Sequence, residues 1–303
     1  MIWGALAIVY VVWGSTYLGI AVMIETIPPL LGAALRFLAA GTVLGVVLLL
    51  RGRGVLRMSA RQFGGAALVG LLLLTGGNGM VGIAEQYIST GLAALLVASV
   101  PLWLVIFRFA VRDRPTLSTL AGVLVGFAGV AALCLTGGGG ESSTQGIITI
   151  LFASLSWALG SFLAAKLPMP PNPFAASTVE MLAGGIALAA VGTALGERLH
   201  FADISGRSWA GLVYMVLVGS LIGFTSYIWL LGNAPISLVA TYAYVNPVVA
   251  VVLGAIVLSE PITAQVILGG LIIVAGVALV VSTERRRAGP AQERELSPAD
   301  RTT

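Results

Sequence analysis

The chain alternates between long apolar runs and short polar or Pro/Gly-rich breaks. Runs of about 20 apolar residues, enough to cross roughly 30 Å of hydrocarbon, fall at 2–23, 30–50, 64–84, 92–111, 116–136, 146–167, 174–195, 209–231, 238–258 and 262–282. The breaks carry recognisable signals, among them Pro28-Pro29, Arg51 to Arg61, Glu85 to Thr90, Arg112 to Pro115, Pro168 to Pro173, Gly196 to Arg207 and Glu260-Pro261. Inside lipid a segment must satisfy its own backbone polar groups, which leaves helix as the form for runs of this length. The pattern predicts an all-α integral membrane protein with ten transmembrane helices.

Composition sharpens this picture. Of 303 residues, 58% are hydrophobic and 9% charged, against roughly 25% charged in an ordinary soluble domain. The start, MIWGALAIVYVVWGS, has no basic segment and no A-x-A cleavage pattern, so it reads as a retained first span. The single cysteine, Cys134, offers no intrachain disulfide, and the single histidine, His200, offers no His-rich metal site. The net charge of +4 is no nucleic-acid signal here; its placement carries the information. With a cytoplasmic N-terminus, Arg51, Arg53, Arg57, Arg61, Arg112, Arg114, Lys166, Arg285, Arg286, Arg287, Arg294 and Arg301 fall inside, and only Arg198 and Arg207 outside. That bias predicts a multi-pass membrane protein with both termini cytoplasmic.

The two halves echo each other. Trp13, Pro29 and Gly41 match Trp157, Pro173 and Gly185 at an offset of 144. Leu92, Ala94, Pro101 and Pro115 match Leu238, Ala240, Pro247 and Pro261 at 146, and Ala128-Gly129-Val130 matches Ala275-Gly276-Val277 at 147. Five spans per copy force the second copy into the membrane upside down. The expected organisation is a first five-helix repeat over 1–136, an external linker over 137–145, a second five-helix repeat over 146–282, and an unstructured cytoplasmic tail over 283–303. Inverted repeats are a signature of secondary transporters, with the substrate site near the midplane between the copies.

Polar groups inside spans are the candidate chemistry. Arg36 and Glu180 hold equivalent repeat positions, since 180 − 36 = 144. Their depths place them roughly 12 Å apart from opposite faces, which speaks against a direct ion pair. Each is read either as an anchor on freed backbone groups or the interface, or as a gating or proton-coupling group. Glu85, near the outer face, is read as a wetted loop acid or as a gate or proton site. Pro101 and Pro247 are expected helix kinks in matching spans. Asn246 beside Pro247, with Tyr242 and Tyr244, offers groups to a substrate or to a freed carbonyl. Asn78, among Gly76, Gly77 and Gly79, either lines a cavity or bonds across close-packed helices. Trp13, Tyr17, Trp157, Tyr227 and Trp229 are candidates for an aromatic wall, Trp13 and Trp157 foremost because they are repeat-equivalent and mid-span. Trp3, Trp103 and Trp209 read as packing or interface residues. Gly269, Gly270 and Gly276 offer a helix-contact face, within the chain or between chains.

The ordered motifs WGSTYLGI (13–20), LRFLAAG (35–41), GNGMVGIAEQYISTGLAALLVASVPLW (77–103), SWALGS (156–161), EMLAGG (180–185) and ATYAYVNPVVAVVLG (240–254) resemble the EamA family of the drug/metabolite transporter superfamily. The GNGM…AEQ and YAYVNP stretches resemble its YedA-like branch. The resemblance covers residues 1 to about 282. It implies a central cavity lined mainly by spans 1, 3, 4, 6, 8 and 9, with spans 5 and 10 peripheral, and it implies export across the inner membrane. The expected activity is secondary transport of a small metabolite, such as an amino acid or amphipathic compound, without cofactor or metal and with proton coupling open. No P-loop is present, so ATP hydrolysis by that route is not expected. Neither H-E-x-x-H nor G-x-S-x-G occurs, which disfavours a membrane-embedded enzyme; a channel or non-transporting scaffold is the remaining alternative.

Overall fold

The computed structural model describes residues 2–112, 115–136, 143–223, 226, 227, 230 and 242–295. Among them, eight helices are long and apolar enough to cross a membrane, accompanied by the shorter apolar helices Gly206–Ile222 and Val245–Leu258. In chain order the elements are α1 (Ile2–Met23), α2 (Pro29–Arg51), α3 (Ala60–Ala84), α4 (Thr90–Ala110), α5 (Leu117–Thr136), α6 (Thr144–Ala164), α7 (Pro173–Ala194), α8 (Gly206–Ile222), α9 (Tyr242–Leu258) and α10 (Ala264–Glu295). Large apolar side chains such as Trp3, Leu50, Leu117, Leu135 and Ile256 are exposed. That surface suits lipid rather than water.

Local chemistry sets the helix starts. Ser59 and Gln62 form a reciprocal capping box at α3. Ser89, Ser143, Asn172 and Ser205 cap α4, α6, α7 and α8 through side-chain oxygens. Pro29 and Pro173, matched in the sequence, each sit in the first turn of their helices, where a missing N–H costs nothing.

Two stretches depart from regular α geometry. In α3, Leu71–Gly79 is wound as π-helix, and in α8, Met215–Ile222 is wound the same way. Leu71 and Met215 are 144 residues apart, the repeat offset. Widened turns of this kind concentrate at functional sites.

The connections gather at two ends of the bundle. At one end Arg207 pairs with Glu25 (3.1 Å), the Leu30 and Leu31 amides donate to Glu197 (3.2 and 2.8 Å), Thr90 donates to Glu260, and the Ser143 amide donates to the Tyr87 carbonyl. We call this the carboxylate end. The opposite, arginine end holds Arg51, Arg57, Arg61, Arg112 and Lys166. Packing is systematic: α2 lies on α7, α5 on α10, α1 against α8 and α9, and α6 against α3 and α4.

Two expectations change and a third narrows. Pro101 does not kink a continuous helix: α4 is broken at Ala98-Ser99 and restarts at Val100, with Pro101 in the new first turn. Pro247 does lie inside its helix. The backbone beyond Thr283 is helical to Glu295 rather than unstructured. A formed span removes the nucleation cost, and the Glu, Arg and Ala residues as far as Ala288 propagate helix well; Gly289 and Pro290 do not, and helix propensity gives no reason for the stretch beyond them. Gly269, Gly270 and Gly276 face Leu133, Leu95 and Gly126 of the same chain.

Candidate functional site

A cavity of about 470 Å³ opens among the helices. Its polar lining comes from Trp13, Thr16 and Tyr17 of α1, Arg36 of α2, Asn78 of α3, Trp157 and Ser161 of α6, Ser220 of α8, Tyr227, and Tyr242 and Asn246 of α9. Pro101 and Pro247 line it too, on the broken helix and its sequence match. Aliphatic residues including Leu74, Val97, Leu104 and Met181 complete the wall.

Arg36 is buried, at 5% exposure. Its Nε donates to Ser220 Oγ at 2.9 Å and its Nη1 to Asn78 Oδ1 at 3.0 Å. Both acceptors sit in the π-wound stretches of α8 and α3. The guanidinium also lies 4.6 Å from the Phe37 ring centroid. Arg36 is thus held by side chains at the cavity wall, not by freed backbone groups or at the interface. Among the described residues its partners are these two, and no ion pair joins it to Glu180. Glu180 does not line the cavity; its neighbour Met181 does.

Three aromatic rings form one cluster. Trp13 lies 4.8 Å from Tyr227 and 5.0 Å, edge on, from Tyr242, while Tyr227 and Tyr242 are 6.0 Å apart. Such tilted and edge-to-face arrangements suit the ring quadrupoles and leave ring faces for a ligand. Trp157, the repeat match of Trp13, lines another part of the wall, against Gly77 of α3. Asn246, in the amide orientation its neighbours satisfy, donates to the Tyr242 and Tyr10 carbonyls at 3.1 and 3.3 Å. It braces α9 against α1 as well as facing the cavity. The side chain of Tyr244 and all of Trp229 lie outside the described residues.

Glu85 overturns the wetted-loop reading. It ends α3 at the carboxylate end, yet both its carboxyl oxygens are buried and without a hydrogen-bond partner. Burial, and secondarily the nearby Glu260, push its carboxyl well above the usual carboxylate range. Glu260 has the opposite surroundings. It accepts from the Thr90 amide (2.8 Å), the Thr90 hydroxyl (2.9 Å) and the Gly91 amide (3.3 Å) at the start of α4. Of the two acids, Glu85 is the one whose carboxyl oxygens are buried without a partner. Tyr17, a cavity residue, lies within electrostatic reach of Glu85.

Sequence reading missed Thr16, Ser161 and Ser220. A signal existed for two of them. Thr16 and Ser161 sit three and four residues after matched tryptophans, and their hydroxyls donate back to the Trp13 and Trp157 carbonyls at 2.6 and 2.9 Å. Neither Arg36 on α2 nor Val281 on α10 belongs to the six spans expected to line the cavity.

A lipid-facing helix bundle around a polar and aromatic cavity is the architecture of a membrane transporter. The chain belongs to the EamA-like transporter family, whose model matches residues 1–135 and 144–282, and falls in its YedA-like branch. It is 42% identical over 257 residues to a protein of Escherichia coli (strain K12) named an uncharacterized inner membrane transporter, YedA, covering 84% of this chain and 81% of that one. A Bacillus subtilis (strain 168) transporter, YvbV, is 27% identical over 91% of this chain and 90% of its own. A Streptantibioticus cattleyicolor protein named a probable terminal-alkyne amino-acid exporter is 27% identical over 95% of each chain. A solved crystal structure at 21% identity superposes with a TM-score of 0.65, covering 93% of this chain and 99% of the other, and shares the fold.

Proposed function

We propose that this protein is a secondary transporter that exports a small metabolite, an amino acid or amphipathic compound, across the inner membrane by alternating access. The observation that carries the reading is the central cavity, whose polar lining is gathered from both halves of the chain. Its volume suits a small molecule. Trp13, Tyr17, Asn78, Trp157, Tyr227, Tyr242, Tyr244 and Asn246 are the proposed substrate contacts, with Arg36, Glu85 and Glu180 as candidate gating or coupling groups. The amino-acid exporter among the relatives supports that substrate class.

The scaffold we infer is ten spans in two inverted five-helix repeats, 1–136 and 146–282, joined by 137–145. Three observations support it. One family model matches each half separately. The two π-wound stretches recur at the repeat offset. Exchanging each helix for the one five places along turns α1 on α9 into α6 on α4, α1 on α8 into α6 on α3, and maps α2–α7 and α5–α10 onto themselves, as a two-fold relation requires. The arginine end then faces the cytoplasm with both termini.

Thiol labelling tests the orientation. In a Cys134→Ala background, Gln86→Cys and Arg198→Cys react with an impermeant maleimide on intact spheroplasts. Arg57→Cys and Lys166→Cys react only after permeabilisation. The reverse pattern would overturn the orientation, and a mixed pattern the inverted repeat.

The activity itself is tested by flux in proteoliposomes. Amino acids, purines and cationic drugs are offered with and without a pH gradient. Saturable flux stimulated by substrate on the opposite side is expected. Non-saturating flux would mark a channel, and no flux of any compound would remove the transport reading.

A further inference from the structure

Arg36 presents an imbalance that the fold itself does not resolve. Its charge is buried at the cavity wall, where an arginine stays protonated and an unpaired ion is costly. Ser220 and Asn78 occupy two of its five N–H donors. Among the described residues nothing else accepts from it: both donors on Nη2 are left, and one on Nη1, and the Nη1–Nη2 edge of the planar fork matches a carboxylate. Both partners are neutral acceptors. They fix the plane of the guanidinium without neutralising it. The acid on the helix packed against α2, Glu180, makes no ion pair with it.

The surroundings say what lies beyond that edge. Gly219 of α8 leaves space where an added Cβ would come 3.7 Å from Arg36 Nη2 and 3.4 Å from Thr16. Gly223, four residues on, instead packs directly against α1: a Cβ there would come 2.9 Å from Val12 and 3.0 Å from Trp13 Nε1. The two glycines lie about 6 Å apart along one face of the same helix. The free guanidinium edge and the aromatic cluster are therefore neighbours, one helical turn apart, in one cavity.

We propose that Arg36 binds the carboxylate of the transported substrate, and that the Trp13, Tyr227 and Tyr242 rings take its apolar or aromatic end. The substrate class is small amphipathic carboxylates, free amino acids with apolar side chains included. Organic cations and neutral bases are excluded. This rests on the transporter reading and narrows it: the group that completes the Arg36 site arrives with the cargo and leaves with it.

The test uses the full-length protein in proteoliposomes and four probes: L-phenylalanine, 3-phenylpropionate, L-phenylalaninamide and phenethylamine. The two carboxylates are expected to compete for one saturable flux, and the two compounds without a carboxylate to be poorer by about ten- to a hundredfold. Arg36→Gln removes that preference and Arg36→Lys retains part of it. In the absence of any probe, Arg36→Gln is expected to melt at the same temperature as the parent or higher, because a buried unpaired charge is gone. An arginine that merely anchors the fold would give the opposite shift. Equal flux of L-phenylalaninamide and L-phenylalanine, or carboxylate preference that survives in Arg36→Gln, would overturn the assignment and leave the transporter reading standing. Absence of saturable flux for all four probes would overturn the assignment, and the transporter reading falls with it only if the wider panel of amino acids, purines and cationic drugs gives no flux either.

Discussion

Gly276→Val is expected to cost about 3 kcal/mol of stability or more and to remove most monodisperse protein from detergent extracts. A Cβ at Gly276 would run into the backbone nitrogen and Cα of Gly126 and come 2.8 Å from the Gly122 carbonyl oxygen. The obstacle is main chain, so no side-chain rotamer can give way. The helices α5 and α10 would have to separate along their length. Gly122, Gly126 and Gly129 share one face of α5, and an added Cβ on Gly129 would likewise lie 2.8 Å from the Ile273 amide nitrogen. In a bilayer, apolar surfaces gain little by leaving lipid, so close packing holds such a pair together. Gly64→Val is the control. Nothing lies within 4 Å of its added Cβ, and its thermal midpoint is expected to stay close to that of the parent. Fluorescence-detected gel filtration and thermal melting read both variants.

The same pair of helices shows how far a sequence carries. The apolar runs located the membrane helices because crossing a bilayer imposes a length and a hydropathy that no tertiary contact can override. Ala128-Gly129-Val130 and Ala275-Gly276-Val277 marked a helix-contact face, but not the partner. That depends on the packing of the whole bundle. The aromatic cluster was legible in part: Trp13, Tyr227 and Tyr242 meet, while Trp157 faces a different wall. Arg36 was legible as an anomaly, since an ionisable residue inside a span needs a reason. Its partners Ser220 and Asn78 were not, because each is turned toward Arg36 by a π-wound stretch of backbone that no residue pattern announces. The wetted-loop alternative for Glu85 fails for a related reason. A glutamate after a span, before a turn, looks wetted, and only the packed bundle buries it.

That burial leads to the second large effect. In Glu85→Gln, flux driven by a pH gradient is expected to lose its dependence on that gradient. With one proton exchanged per substrate, each pH unit is worth about 1.4 kcal/mol, or about a tenfold substrate ratio at equilibrium. The variant should approach a ratio of one at every gradient while still exchanging substrate for substrate. Glu85 meets two requirements for such a role. Its carboxyl is buried with no donor to either oxygen, which favours the protonated form, and it lies within electrostatic reach of Tyr17 at the cavity wall and of Glu260, anchored on α4. A movement of α1 or α4 that admits water or a donor would lower its proton affinity and release the proton, which is how a conformational cycle couples to a gradient. The linkage sign follows from the raised proton affinity. The folded protein binds a proton that the unfolded chain releases once the pH exceeds the ordinary carboxylate range, about 4–5. This group's contribution is therefore full at low pH and is lost as the pH climbs from that range toward the raised folded value. Glu85→Gln should flatten that part of the melting profile and melt higher than the parent at alkaline pH. A variant that keeps gradient-driven accumulation, or melts with the parent's pH profile, would show that Glu85 is not the coupling acid and would return the search to Glu180.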